Sequence, residues 1–182
     1  MAATIRLPMK HSDRPASHAR TVSVLALCTA LVFGLQVALA AIPNGECVTL
    51  LFILFALYFR YKTLYIIYAF ALLEGVTYGF GIWWIMYLYV WTILWALVML
   101  LGKKPRPIWF WAILAAVFGL SYGLLCSVPY LLAGGPAAAF SWWVTGIPFD
   151  ILHCVFNFAS VLMLFTPLNR LFSALQARGA LP

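Results

Sequence analysis

Long apolar runs, separated by short polar or glycine–proline punctuation, set the pattern of this chain. Six can be marked: about Thr21 to Ala41, Glu46 to Phe59, Thr63 to Tyr78, Ile82 to Leu101, Ile108 to Leu132 and Pro148 to Leu168. They are continuous rather than alternating, so they predict helices and not the strands of a barrel. Several approach the ~20 residues that cross a bilayer core. The breaks are Ile42-Pro43-Asn44-Gly45-Glu46, Arg60-Tyr61-Lys62, Gly79-Phe80-Gly81, Gly102 to Pro107, and Gly134-Gly135-Pro136 with the alanines that follow. Residues 1–20 are polar and basic and read as a disordered tail. The expectation is an all-α membrane protein with six transmembrane helices over 21–172, and a second basic tail over 173–182.

Composition and charge sharpen this. Hydrophobic residues make up 66% of the chain and charged ones 8%, against about 25% charged in soluble domains. The net charge of +7 does not point to nucleic acid, because the basic residues sit in short clusters between apolar runs. With the N-terminus cytoplasmic, the inside segments hold 4, 2, 3 and 2 Lys or Arg, which is all 11. So clean a division under the positive-inside rule predicts that both termini are cytoplasmic. The four cysteines lie in or beside apolar runs without CxxC spacing and read as small buried hydrophobes.

The first run carries Ala26, Ala30, Gly34 and Ala38, a small residue at every fourth position. Such a ladder lets another helix approach closely. The basic front and Ala38-Leu39-Ala40 give this segment a signal-peptide look, but its apolar stretch exceeds the ~7–15 residues of that class.

Candidate chemistry lies in the later runs. Residues three or four apart share a helix face, so Asp150, His153 and Asn157 project together from an otherwise apolar helix. Such a stripe should face protein or a water-filled cavity. Glu74 is a carboxylate inside a span, which marks a functional site by default. All three acids beyond the N-terminal tail, Glu46, Glu74 and Asp150, fall toward the outer half of the predicted bundle. Trp84, Tyr87, Trp91 and Trp95 form one face of the fourth run, with Trp83 at the rim. Aromatic walls with a few convergent polar groups describe a small-molecule pocket, so Glu74, Trp84, Tyr87, Trp91, Asp150, His153 and Asn157 are the candidate substrate contacts. Gln36 is a weaker one. Each has a structural alternative: an interfacial aromatic belt for the tryptophans, a helix start at Pro148 for Asp150, interhelical glue for Asn157. No phosphate loop, no H-E-x-x-H and no G-x-S-x-G elbow is present. No cofactor, metal site or catalytic residue is expected. An intramembrane enzyme using Glu74, Asp150 and His153 as acid–base groups, or an assembly protein without a ligand, are the competing readings.

These residues together resemble the substrate-binding S component of energy-coupling factor (ECF) vitamin transporters. The similarity spans about Thr21 to Phe172. It is carried by Pro43-Asn44-Gly45-Glu46-Cys47-Val48-Thr49-Leu50-Leu51, by Glu74 to Tyr89, and by Gly146-Ile147-Pro148-Phe149-Asp150 with His153, Asn157 and Pro167-Leu168. The resemblance implies a non-enzymatic six-helix protein of a prokaryotic plasma membrane that captures an organic micronutrient from outside. It also implies docking on a membrane T component with two ATPase subunits, through a small-residue motif on the first helix. Ala26, Ala30, Gly34 and Ala38 occupy that ladder here, with glycine in place of one alanine. Nickel and cobalt members need an early histidine in a metal-binding N-terminus. The chain starts Met1-Ala2-Ala3-Thr4, so a metal substrate is not expected.

Overall fold

A computed structural model describes residues 17–42 and 45–182. Residues 1–16 of the expected disordered tail, and Pro43-Asn44 of the first turn, lie outside the described residues, whereas His18 to Arg20, expected in that tail, form the first turn of a helix capped by Ser17. The rest is helical, with no strand among the described residues. The elements are α1 (His18–Ala38), α2 (Val48–Phe59), a 3-10 turn (Arg60–Lys62), α3 (Thr63–Tyr78), α4 (Ile82–Leu101), α5 (Ile108–Leu120), α6 (Tyr122–Cys126) and α7 (Val128–Ala177). By length and hydropathy, four helical runs could cross a membrane: His18–Ala38, Val48–Tyr78, Ile82–Leu101 and Val128–Ala177.

The second of these runs is a hairpin. Arg60 adopts φ 52°, the one positive φ at a non-glycine among the described residues. The rings of Phe52 and Phe70 then meet with centroids 5.7 Å apart. On one straight helix those positions would be about 27 Å apart at ~1.5 Å per residue. The same folding back joins α3 to α4, where Trp84 donates from Nε1 to the Ala71 carbonyl at 2.7 Å near one end. Trp95 Nε1 reaches the Arg60 carbonyl at 3.0 Å near the other.

Side-chain contacts give the bundle two distinct ends. At one, Arg20 Nη1 donates to the Gly179 carbonyl at 2.9 Å. The Tyr58 hydroxyl meets Ser173 Oγ at 2.6 Å and Asn169 Oδ1 at 2.8 Å at that same end. Arg60, Lys62 and the 102–107 loop belong here too, since Gly102 sits against Leu57 and Trp111. All the Lys and Arg among the described residues therefore gather at one end, while Glu46 and Asp150 lie at the other.

Helix α2 is the axis. Every one of its residues is buried, as expected of a helix that is apolar all round. At twelve residues it is about 18 Å long, shorter than the ~30 Å hydrocarbon core, and it is enclosed by its neighbours. Phe55, Tyr58 and Phe59 pack on Phe172 of α7.

Several boundaries differ from the sequence expectation: the first helix is His18–Ala38 rather than 21–41, and the last continues to Ala177 through residues expected in the C-terminal tail. The fifth run is interrupted at Ser121 and Ser127, leaving the short α6 between them. The sixth helix starts near Pro136 rather than Pro148. The chain reverses at Gly135, with φ 76° and ψ −175°, and Tyr130 stacks on Trp142 at 4.0 Å across the turn. Glycine accepts that positive φ without the Cβ clash, and proline is favoured at the first helical position after it. Three alanines then propagate the helix. Pro148 and Pro167 remain inside it on exposed positions, each at a cost of roughly 3 kcal/mol. From Pro136 to Ala177 the helix is about 60 Å long.

Small residues set the closest packing. Gly119 and Gly123, with Ala112 and Ala115, line the face of α5 and α6 buried against α7. A β-carbon at Gly119 would come within 2.9 Å of the His153 carbonyl and of Asn157 Nδ2. The ladder on α1 behaves oppositely. Ala26, Ala30, Gly34 and Ala38 are all exposed, and a β-carbon at Gly34 would meet nothing within 4 Å. Helix α1 packs instead through Leu25, Thr29 and Val32.

Candidate functional site

A buried polar chain runs across the acidic end of the bundle. Asn157, fully buried on α7, donates one Nδ2 hydrogen to the Ala115 carbonyl and the other to Thr49 Oγ1, both at 3.2 Å. The Thr49 hydroxyl in turn donates to Glu46 Oε1. His153 Nε2 meets that same carboxylate oxygen at 2.6 Å. Four residues from α2, its leading loop and α7 are thus tied in sequence: Asn157, Thr49, Glu46, His153. Bonds to a carboxylate are stronger than neutral ones, and in a low-dielectric interior such chains reinforce one another. The chain fixes the His153 ring, which meets Tyr122 edge to face at 4.8 Å. The His153 Nδ1 atom and Asn157 Oδ1 are buried without a hydrogen-bond partner among the described residues.

This chain forms one wall of a cavity of about 400 Å³. Its lining combines Glu46 and His153 with Tyr78, Tyr87, Trp91 and Tyr122, and Gln36, Leu39 and Ala40 close it from the end of α1 and the residues after it. The rings interlock: Tyr87 meets Trp91 edge to face at 6.0 Å, and Trp91 tilts onto Tyr122 at 5.7 Å. Trp91 Nε1 is buried without a partner among the described residues. A cavity of this size with flat apolar walls and a carboxylate–imidazole pair suits a small organic molecule.

A second cavity of similar size adjoins the first across Tyr122, which lines both. Asp150 lines this one, with Met86, Cys126, Trp142 and Thr145. Its Oδ1 accepts the Gly123 backbone N–H at 2.9 Å. That N–H lies in the first turn of α6, where the break at Ser121 leaves donors unpaired within the helix. Asp150 is therefore well inside its own helix, and it caps a different one.

The seven sequence candidates consequently divide. Tyr87, Trp91 and His153 line the first cavity, Asp150 lines the second, and Asn157 stands behind the first as support. Glu74 and Trp84 lie outside the lining of both. Glu74 is buried on α3 with Oε1 unpartnered among the described residues. Trp84 is committed to the Ala71 carbonyl and to Phe80, edge to face at 5.0 Å. Glu74, Asp150 and His153, the acid–base groups of an enzymatic reading, sit in three separate settings. Among the described residues no group of three or more His, Cys, Asp or Glu could hold a metal ion.

Glu46, Thr49 and Tyr122 were not among the sequence candidates, although Glu46 lies at the end of the bundle opposite the described Lys and Arg. Glu46 and Thr49 are three apart at a helix start, a spacing that puts both side chains on one face. Against protein-family models, curated proteins and solved structures, the chain finds no match.

Proposed function

We propose that this chain captures a small organic solute at the acidic end of the bundle and serves as the S component of an ECF-type uptake system. In this reading it crosses a prokaryotic plasma membrane six times with both termini cytoplasmic, and the basic end faces the cytoplasm. The observation that carries the reading is the cavity bounded by Glu46, His153, Tyr87, Trp91 and Tyr122. It lies opposite the Lys and Arg residues, where a ligand arriving from outside would enter. The supporting observation for a transport partner is α1. Its small-residue ladder is exposed along the whole helix, a surface suited to close approach by a helix of a T component carrying two ATPase subunits.

Untargeted mass spectrometry of the protein purified from its native membrane tests the reading. The expected result is a stoichiometric organic solute that is lost on His153→Ala. An empty protein that binds nothing from a vitamin panel overturns it.

A further inference from the structure

Resting on that solute-capture reading, we propose that the second cavity is a binding chamber for a positively charged nitrogen group. The captured solute then carries an aliphatic amine, amidine or guanidine beside its planar portion. Asp150 is only 4% exposed. One oxygen is used by the Gly123 N–H, and the other, Oδ2, is buried without a partner among the described residues. Capping a backbone N–H does not require a charge, since an asparagine oxygen would serve as well. The carboxyl group therefore has acceptor capacity beyond its structural use. Oδ2 is a buried acceptor with no donor among the described residues, which the N–H of a cationic nitrogen group in the chamber would satisfy.

Among the described residues no Lys or Arg lines the chamber, and His153, three residues along α7 from Asp150, is held by Glu46. The described Lys and Arg gather at the opposite end of the bundle. The Thr145 hydroxyl is turned to the Ser141 and Trp142 carbonyls, so its hydrogen is not directed at Asp150. Trp142, stacked on Tyr130, also lines the chamber, and indole rings attract ammonium and guanidinium groups. Tyr122 is common to both cavities, and in this proposal the solute lies on both sides of that ring, its charged end in the second.

The chamber's charge preference can be read without knowing the solute. Thr145, exposed and lining the chamber, is changed to Cys in the full chain with Cys28, Cys47, Cys126 and Cys154 replaced by alanine. The variant is labelled with trimethylammonium-ethyl and sulfonato-ethyl methanethiosulfonates, each rate normalised to a free thiol. The cationic reagent should react at least roughly tenfold faster, as an anionic carboxylate lining the same chamber implies. Asp150→Asn keeps the acceptor for Gly123 and should bring the ratio near unity. Equal rates, a ratio unchanged by Asp150→Asn, or no labelling at all would overturn the chamber. As a second readout, the solute identified by mass spectrometry should hold a cationic nitrogen, and one without it overturns the ligand class. A charge-selective chamber in a protein that never carries a solute would remove the proposed function alone. A bound solute with an unselective chamber would remove only this inference.

Discussion

Glu46 and His153, 107 residues apart in sequence, share a 2.6 Å contact that closes the wall of the first cavity. Their side chains are 10% and 5% exposed respectively, so neither has bulk water to fall back on. Removing the imidazole by His153→Ala leaves the Glu46 carboxyl with Thr49 as its one described donor. The expected cost is about 1–3 kcal/mol, measured as a lower unfolding temperature in detergent. His153→Gln, which restores a donor to Glu46, should recover part of that loss without restoring solute binding.

Thr49 couples this pair to Asn157. Thr49→Val removes both the donor to Glu46 and the acceptor of the Asn157 amide. Asn157→Ala leaves the Ala115 carbonyl without its side-chain donor. Each change should cost about 1–3 kcal/mol. A double-mutant cycle should give a coupling of at least ~0.5 kcal/mol, because the two substitutions break the same bond. Strict additivity of the unfolding free energies would show that the chain of bonds is not intact in the membrane.

Two glycines predict opposite outcomes. Gly119→Ala pushes a methyl against the His153 carbonyl and the Asn157 amide, separating α5 from α7 at a cost of about 1–3 kcal/mol. Gly34→Ala meets open space on α1. It should be neutral or stabilising by up to ~1 kcal/mol through helix propensity. Thermal unfolding of the two variants side by side checks the contrast.

The same open space allows a test of partner docking. Gly34→Leu should leave the fold and solute occupancy unchanged while abolishing recovery of a T component and its ATPases in a pull-down. Unimpaired recovery would place the docking surface elsewhere than the ladder of Ala26, Ala30, Gly34 and Ala38.

The helices themselves were largely legible in the sequence, since α3 and α4 begin and end where glycine and basic residues punctuate the apolar runs. The start of the last helix was not legible at Pro148, because an interior proline gives the same local signal as an initiating one. Here Gly135-Pro136 and the alanines after it initiate first. The polar face of Asp150, His153 and Asn157 was legible as one stripe from its spacing alone. Its division between two cavities was not, because that depends on Tyr122 projecting from a helix broken at Ser121. Thr49 escaped notice for a related reason: inside an apolar run, a threonine is equally at home as filler, and only its neighbours across the bundle reveal the bond.

Helix α7 carries one further consequence. From Pro136 to Ala177 it has no break in helical geometry, because its one non-helical residue, Gly135, precedes that stretch. The same rod therefore presents Asp150 and His153 to the two chambers and Asn169 and Ser173 to Tyr58 at the far end. Pro148 and Pro167 each omit one helix hydrogen bond and are where it can bend, while the segment between them moves as one piece. In the proposed function, a tilt imposed where a solute settles beside His153 would be carried along that segment toward Asn169 and Ser173 at the far end of the bundle.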